Sequence, residues 1–152
     1  MASAGEAKVC HPLGDLKVGD RGTWTREALP KYTEMYAEVT GDRNPLHFDE
    51  EFASRTKFGS LVCHGGIAAG TLNALVAEVL PGPGSVFLRQ ELDYTAPTHP
   101  GDTLTAVGVV TSIHETKPVV NMDVEVKSQE DTTVLKGKVV VYKMIPKDTT
   151  AS

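Results

Sequence analysis

Asp42 and His47 stand five residues apart in Gly41-Asp42-Arg43-Asn44-Pro45-Leu46-His47, a carboxylate and an imidazole on either side of a proline-containing turn. Groups so placed could converge on one small molecule, and proton transfer to and from carbon needs such a base and acid working near neutral pH. Water is the obvious shared ligand. A blander reading stands beside it, in which Asp42 caps the turn and His47 is an ordinary partly buried histidine. The second stretch is His64-Gly65-Gly66, at the head of an apolar run. The first backbone N–H groups of a helix have no partner within it, so this end could accept an anion. The two glycines could equally serve only to let another segment approach. Cys63 beside His64 reads as packing rather than as a nucleophile, because adjacent side chains rarely face one another. His11, His99 and His114 lack metal-ligand spacing, Cys10 has no nearby second thiol, and no phosphate loop or dinucleotide fingerprint occurs, so neither metal nor cofactor is expected.

Elements must hold these residues in place. His64 to Leu80 (HGGIAAGTLNALVAEVL) carries one charge, Glu78, which predicts a buried helix covered on most of its circumference and stopped by Pro81-Gly82-Pro83-Gly84. Upstream, Tyr32, Met35, Tyr36 and Val39 fall at i, i+3, i+4 and i+7, an amphipathic helix over Pro30 to Thr40 that ends at Gly41. Asp49 can cap a short helix over Glu50 to Lys57 with Phe52 facing inward. Asp20 to Arg26 could form a short strand. From Ser85 the period drops to 2, with Val86, Leu88, Leu92 and Tyr94 assigned to the dry face of a half-buried strand. Val120, Met122, Val124 and Val126 alternate with polar residues most cleanly, and Thr103 to Ile113 and Val134 to Met144 complete four strands joined by short turns. A helix apolar all round, followed by antiparallel strands, predicts an α+β architecture with a sheet curled about that helix.

Composition narrows the function classes. Lysine and arginine total 15 against 20 acidic residues, a net charge of -5 without a basic stripe, which disfavours nucleic-acid partners. No apolar stretch reaches the roughly 20 residues that span a bilayer, since Thr71, Asn73 and Glu78 interrupt the central run. Two cysteines cannot build a disulfide framework and residues 1–12 lack a secretory core, so a soluble intracellular protein is expected. One domain over 13–146 is expected, with flexible ends at 1–12 and 147–152.

The run Tyr36-Ala37-Glu38-Val39-Thr40-Gly41-Asp42-Arg43-Asn44-Pro45-Leu46-His47, followed by Asp49, Phe52 and Ala53, resembles the hydratase motif of the MaoC-like (R)-specific enoyl-CoA hydratases. The likeness continues through Val62-Cys63-His64-Gly65, Pro81-Gly82 and Pro100-Gly101-Asp102, over about residues 30–145. The resemblance implies a hot-dog fold, a curved antiparallel sheet wrapped around a long helix, usually as a homodimer whose sheets join edge to edge. It further implies that Asp42 and His47 activate a water for syn addition to a trans-2-enoyl thioester, or for the reverse dehydration of an (R)-3-hydroxyacyl thioester. Gly65 N–H would be a donor to the enolate oxygen. Asn44 and Pro45 would shape the turn, and Arg43 has no assigned task. The carrier would be coenzyme A or an acyl carrier protein, in fatty-acid metabolism, without cofactor. The compartment would be the mitochondrial matrix in a eukaryote, where a targeting sequence need not be part of this chain, or the cytoplasm in a bacterium. Asn73, a substrate-binding candidate beside Gly65, departs from relatives whose serine there reaches the active site; its amide can still hydrogen-bond, and its role stays open. His64-Gly65-Gly66 also resembles the motif of hot-dog acyl-CoA thioesterases. Those commonly place a carboxylate where Asn73 stands, and an amide is neither base nor nucleophile. A non-catalytic acyl-thioester-binding module is the third alternative, which would have no use for an acid-base pair.

Overall fold

Alternation of dry and wet residues gives this chain its sheet. In the computed structural model, which describes residues 11–148, β4 (Val119–Lys127) buries Val120, Met122, Val124 and Val126 on one face, as its period of 2 predicts. The same parity runs through β3 (Thr103–Ile113), which buries Leu104, Ala106 and Val110. With β1 (Arg21–Glu27), β2 (Ser85–Tyr94) and β5 (Thr133–Lys143) they form a five-stranded antiparallel sheet in the order β1-β3-β4-β5-β2. The edges are therefore β1 and β2.

Across the dry face lies α4 (Gly65–Glu78), the predicted central helix, burying Ala68, Thr71, Leu72, Leu75 and Val76. Full burial of its Leu and Val side chains contributes about 1.5–3 kcal/mol each. Two glycines let the helix come close. Gly22 and Gly108 are register partners on β1 and β3. A β-carbon on Gly22 would stand 2.9 Å from Leu80 Cβ, and one on Gly108 would stand 2.7 Å from Met122 Cε and 3.2 Å from Leu75 Cδ2. The pair forms a saddle for Leu75. The sheet covers only one side of α4, however, and within one chain Asn73 is exposed while Gly66, Gly70, Ala74 and Ala77 are half-exposed. Coverage of most of the circumference is thus not met by the described residues of one chain.

Three other expectations are corrected. In α1 (Lys31–Thr40) the buried residue is Ala37, whereas Met35 and Val39 are 55% and 84% exposed, because the covered side of the helix is that of Tyr32, Thr33, Tyr36 and Ala37. In α3 (Glu50–Ser54), shorter than predicted, Ala53 is buried and Phe52 is 47% exposed. On β2, Phe87 packs against the core together with Leu92, while Val86, Leu88 and Tyr94 are exposed. A bulge between Phe87 and Arg89 shifts the register, so odd and even positions exchange faces along the strand. The short helix α2 (Pro45–Phe48) was not anticipated. The expected flexible end 1–12 lies outside the described residues except for positions 11 and 12, and 147–152 except for 147 and 148.

Candidate active site

The turn after α1 is built from its own side chains. Gly41 ends the helix at φ 80°, with its N–H on the Ala37 carbonyl at 2.7 Å. The Thr40 hydroxyl accepts from Asp42 N–H at 3.1 Å, Asp42 Oδ1 accepts from Asn44 N–H at 3.1 Å, and Asn44 Oδ1 accepts from Leu46 N–H at 3.1 Å. Asn44 is thereby the N-cap of α2 and Pro45 occupies its first turn. His47 rides on that helix. Arg43 points to solvent and pairs with Glu34 at 2.6 Å, which holds the Glu34 carboxyl below its ordinary range.

Tertiary contacts then aim the imidazole. His47 Nδ1–H donates to the Val62 carbonyl at 2.7 Å, so in the neutral ring Nε2 carries the lone pair. That Nε2 lies 3.9 Å from Asp42 Oδ2. The gap is too long for a hydrogen bond and short enough for one water to lie about 2.8 Å from both. The His47 side chain is 9% exposed and that of Asp42 44%, so the pair opens to solvent on the carboxylate side.

Behind them stands His64, which precedes α4 and is 1% exposed. Its Nε2–H donates to the backbone carbonyl of Asp42 at 2.9 Å, and its ring lies 3.9 Å from that of His47, centroid to centroid. Tyr36 packs on it at 4.7 Å. Its buried Nδ1 has no hydrogen-bond partner among the described residues.

A cavity of about 630 Å³ adjoins this cluster at His47. His47 and Gly65 line it, with Leu46, Val62, Phe58, Ala68 and Tyr94 giving an apolar wall and Lys57 and His99 adding polar groups. The Gly65 N–H belongs to the first turn of α4, where the helix supplies no acceptor and its dipole is positive. Cys63 also lines the cavity, and burial pushes its thiol up to about 11, so it stands there as a neutral thiol.

Donor atoms of Asp42, His47 and His64 all lie within 4.8 Å of one another, close enough for a metal ion. In the arrangement described, His64 Nε2 carries a proton engaged with Asp42, and metal binding through that atom would require giving the bond up. Asn73 is exposed on α4 and, like Asp42, is not among the residues that line the cavity. His64 was given no task by the sequence, although its place ahead of two glycines at the helix start was the signal that could have raised it.

A family model described as MaoC like domain matches residues 17–132. The (R)-specific enoyl-CoA hydratase of Rhodospirillum rubrum is 31% identical over 133 residues, 88% of each chain. The 3-hydroxybutyryl-CoA dehydratase of Methylorubrum extorquens is 43% identical over 88 residues, and the match spans 58% of this chain and 56% of that protein's length. Among solved structures, the (R)-hydratase from A. caviae involved in PHA biosynthesis superposes with a TM-score of 0.81 at 31% identity, covering 86% of this chain and 98% of that one.

Proposed function

Because the chain belongs to the MaoC-like domain family, we propose that it is a hydro-lyase interconverting trans-2-enoyl and (R)-3-hydroxyacyl thioesters. The observation that carries this reading is the 3.9 Å gap between Asp42 Oδ2 and His47 Nε2, the latter on a residue that lines a cavity together with Gly65. Both groups facing the gap are acceptors, since the proton of His47 is committed to Val62. One water can satisfy both with its two O–H bonds and turn its oxygen lone pair outward.

Hydration then proceeds as follows. The water oxygen forms a bond to C3 while Asp42 takes its proton, and the C2–C3 π electrons move onto the thioester oxygen. Gly65 N–H receives that enolate oxygen, a donor already in place before charge develops. The enolate collapses by taking a proton at C2 from the Asp42 carboxylic acid, which restores the carboxylate. Delivery and removal by one group on one face make the addition syn. His47 acts by accepting from the water and holding it, and Asn44 and Pro45 keep the carboxylate and α2 in register. Dehydration is the same path reversed.

The carrier is coenzyme A or an acyl carrier protein, and the reaction belongs to fatty-acid metabolism. The chain functions as a homodimer through β2, whose outer edge offers unpaired backbone groups beside exposed Val86, Leu88 and Tyr94. No described helix is long and apolar enough to cross a membrane. The site works in the mitochondrial matrix or the bacterial cytoplasm, according to source. The test is crotonyl-CoA turnover in D2O, with chiral analysis of the product and free thiol followed in parallel. Syn-deuterated (R)-3-hydroxybutyryl-CoA without thiol release is expected. Thiol release would favour a thioesterase instead.

A further inference from the structure

His64 takes no part in the chemistry above, yet it is the most buried polar side chain among the described residues at 1% exposed. If its role were packing alone, an apolar ring would fill the same space without leaving Nδ1 buried and unpartnered. Its contacts instead converge on the reacting pair. The Nε2–H reaches the backbone of Asp42 at 2.9 Å, and one ring face lies on His47 at 3.9 Å with an interplanar angle of 33°. Tyr36 at 4.7 Å and the edge of Phe48 at 6.1 Å confine the ring further. Its own backbone leads directly into the first turn of α4, where Gly65 N–H is displayed. One side chain thus ties together the turn bearing Asp42, the helix bearing His47 and the helix end bearing the oxyanion donor.

We propose that His64 is a positioning residue, whose neutral Nε2–H tautomer and ring face hold Asp42 and His47 at the separation one water bridges. This rests on the hydration reading. The donor to Asp42 requires the proton on Nε2 and hence the lone pair on the orphan Nδ1, while His47 is held in the opposite tautomer by Val62. The orphan nitrogen is the consequence of placing a donor where Asp42 needs one.

Two substitutions in the full chain separate this from a packing role. His64→Phe keeps a flat ring and removes both the donor and the orphan atom; His64→Gln supplies an N–H donor without a ring. For His64→Phe the expected result is a melting temperature no lower than wild type, with kcat for crotonyl-CoA down about a hundredfold and KM within about threefold, as misplacement by an ångström can produce. For His64→Gln, kcat should stay within about tenfold of wild type. Wild-type kcat in His64→Phe, or activity that merely tracks melting temperature in both variants, overturns the proposal. Long-range proton–nitrogen NMR of the histidine rings decides it without turnover and without either variant folding. The expected spectrum has His64 protonated at Nε2 and His47 at Nδ1, and the opposite tautomer at His64 refutes the positioning role. Should the wild-type protein hydrate no enoyl thioester, the hydration reading fails on its own, and the tautomer measurement still rules on the arrangement.

Discussion

A methyl group at Gly66 has no room. A β-carbon there would overlap the hydroxyl and Cζ of Tyr36, whose ring is itself held against His64 at 4.7 Å. Gly70, one turn further along α4, has none of the described residues within 4 Å of the same added atom. The pair Gly66→Ala and Gly70→Ala is therefore a controlled comparison. Both substitutions gain the same helix propensity of about 1 kcal/mol, so their difference isolates the steric cost. Forcing one extra carbon into a filled site costs about 1–3 kcal/mol. For a domain of this size that separates the melting temperatures by roughly 2–12 °C, with Gly66→Ala the lower. Tyr36 can yield only by moving off His64, so hydration of crotonyl-CoA should fall in Gly66→Ala and persist in Gly70→Ala. Circular-dichroism melts and initial rates on both proteins are the assay. Equal melting temperatures and full activity in Gly66→Ala would refute the close packing of Tyr36 over the helix start.

Cys63, with its thiol pushed from the ordinary 9.0 to about 11, should react with iodoacetamide at pH 8 about a hundredfold more slowly than an unperturbed thiol, measured by mass spectrometry on the native protein. The same shift means that the folded state keeps a proton the unfolded state loses, so stability in urea should decline as pH rises from about 9 to about 11. Leu88→Glu, at an exposed position in the β2 bulge, should convert a dimer to a monomer in multi-angle light scattering without unfolding the chain; an unchanged mass would remove β2 from the interface. Glu34→Gln breaks an ion pair whose side chains are 55% and 56% exposed, and no measurable change in melting temperature is expected at neutral pH.

The parts legible in the sequence were those fixed by local rules. The alternation of Val120, Met122, Val124 and Val126 requires one dry face whatever the fold, and Gly41 ends α1 because it tolerates the left-handed conformation that its neighbours would not. The fold family came through the motif around Asp42 and His47, which is long enough to carry a whole domain with it. What could not be read depends on partners distant in the chain. Met35 and Val39 have helical spacing for burial, but none of the described residues covers them. The faces of β2 could not be assigned from alternation, since one bulge inverts the parity between Phe87 and Leu92. Asn44-Pro45 is an N-cap followed by a proline, a signal that suits a turn as well as a helix start; the helix is a single turn long, too short to show a period. His64 gained its meaning from the Asp42 carbonyl and the His47 ring, 22 and 17 positions away, a relation no local pattern encodes.

The central claim is that a water held between Asp42 and His47 adds to an enoyl thioester, and Asp42→Asn tests it most directly. The amide oxygen can still accept from Asn44 N–H, so the turn is preserved while the base is lost. The measurement is the loss of enoyl-thioester absorbance with crotonyl-CoA, for wild type, Asp42→Asn and His47→Ala at matched folded concentration. Steady hydration by the wild type, reduced at least about a hundredfold in both variants, is the predicted outcome. An Asp42→Asn protein that is folded and as fast as wild type would contradict it.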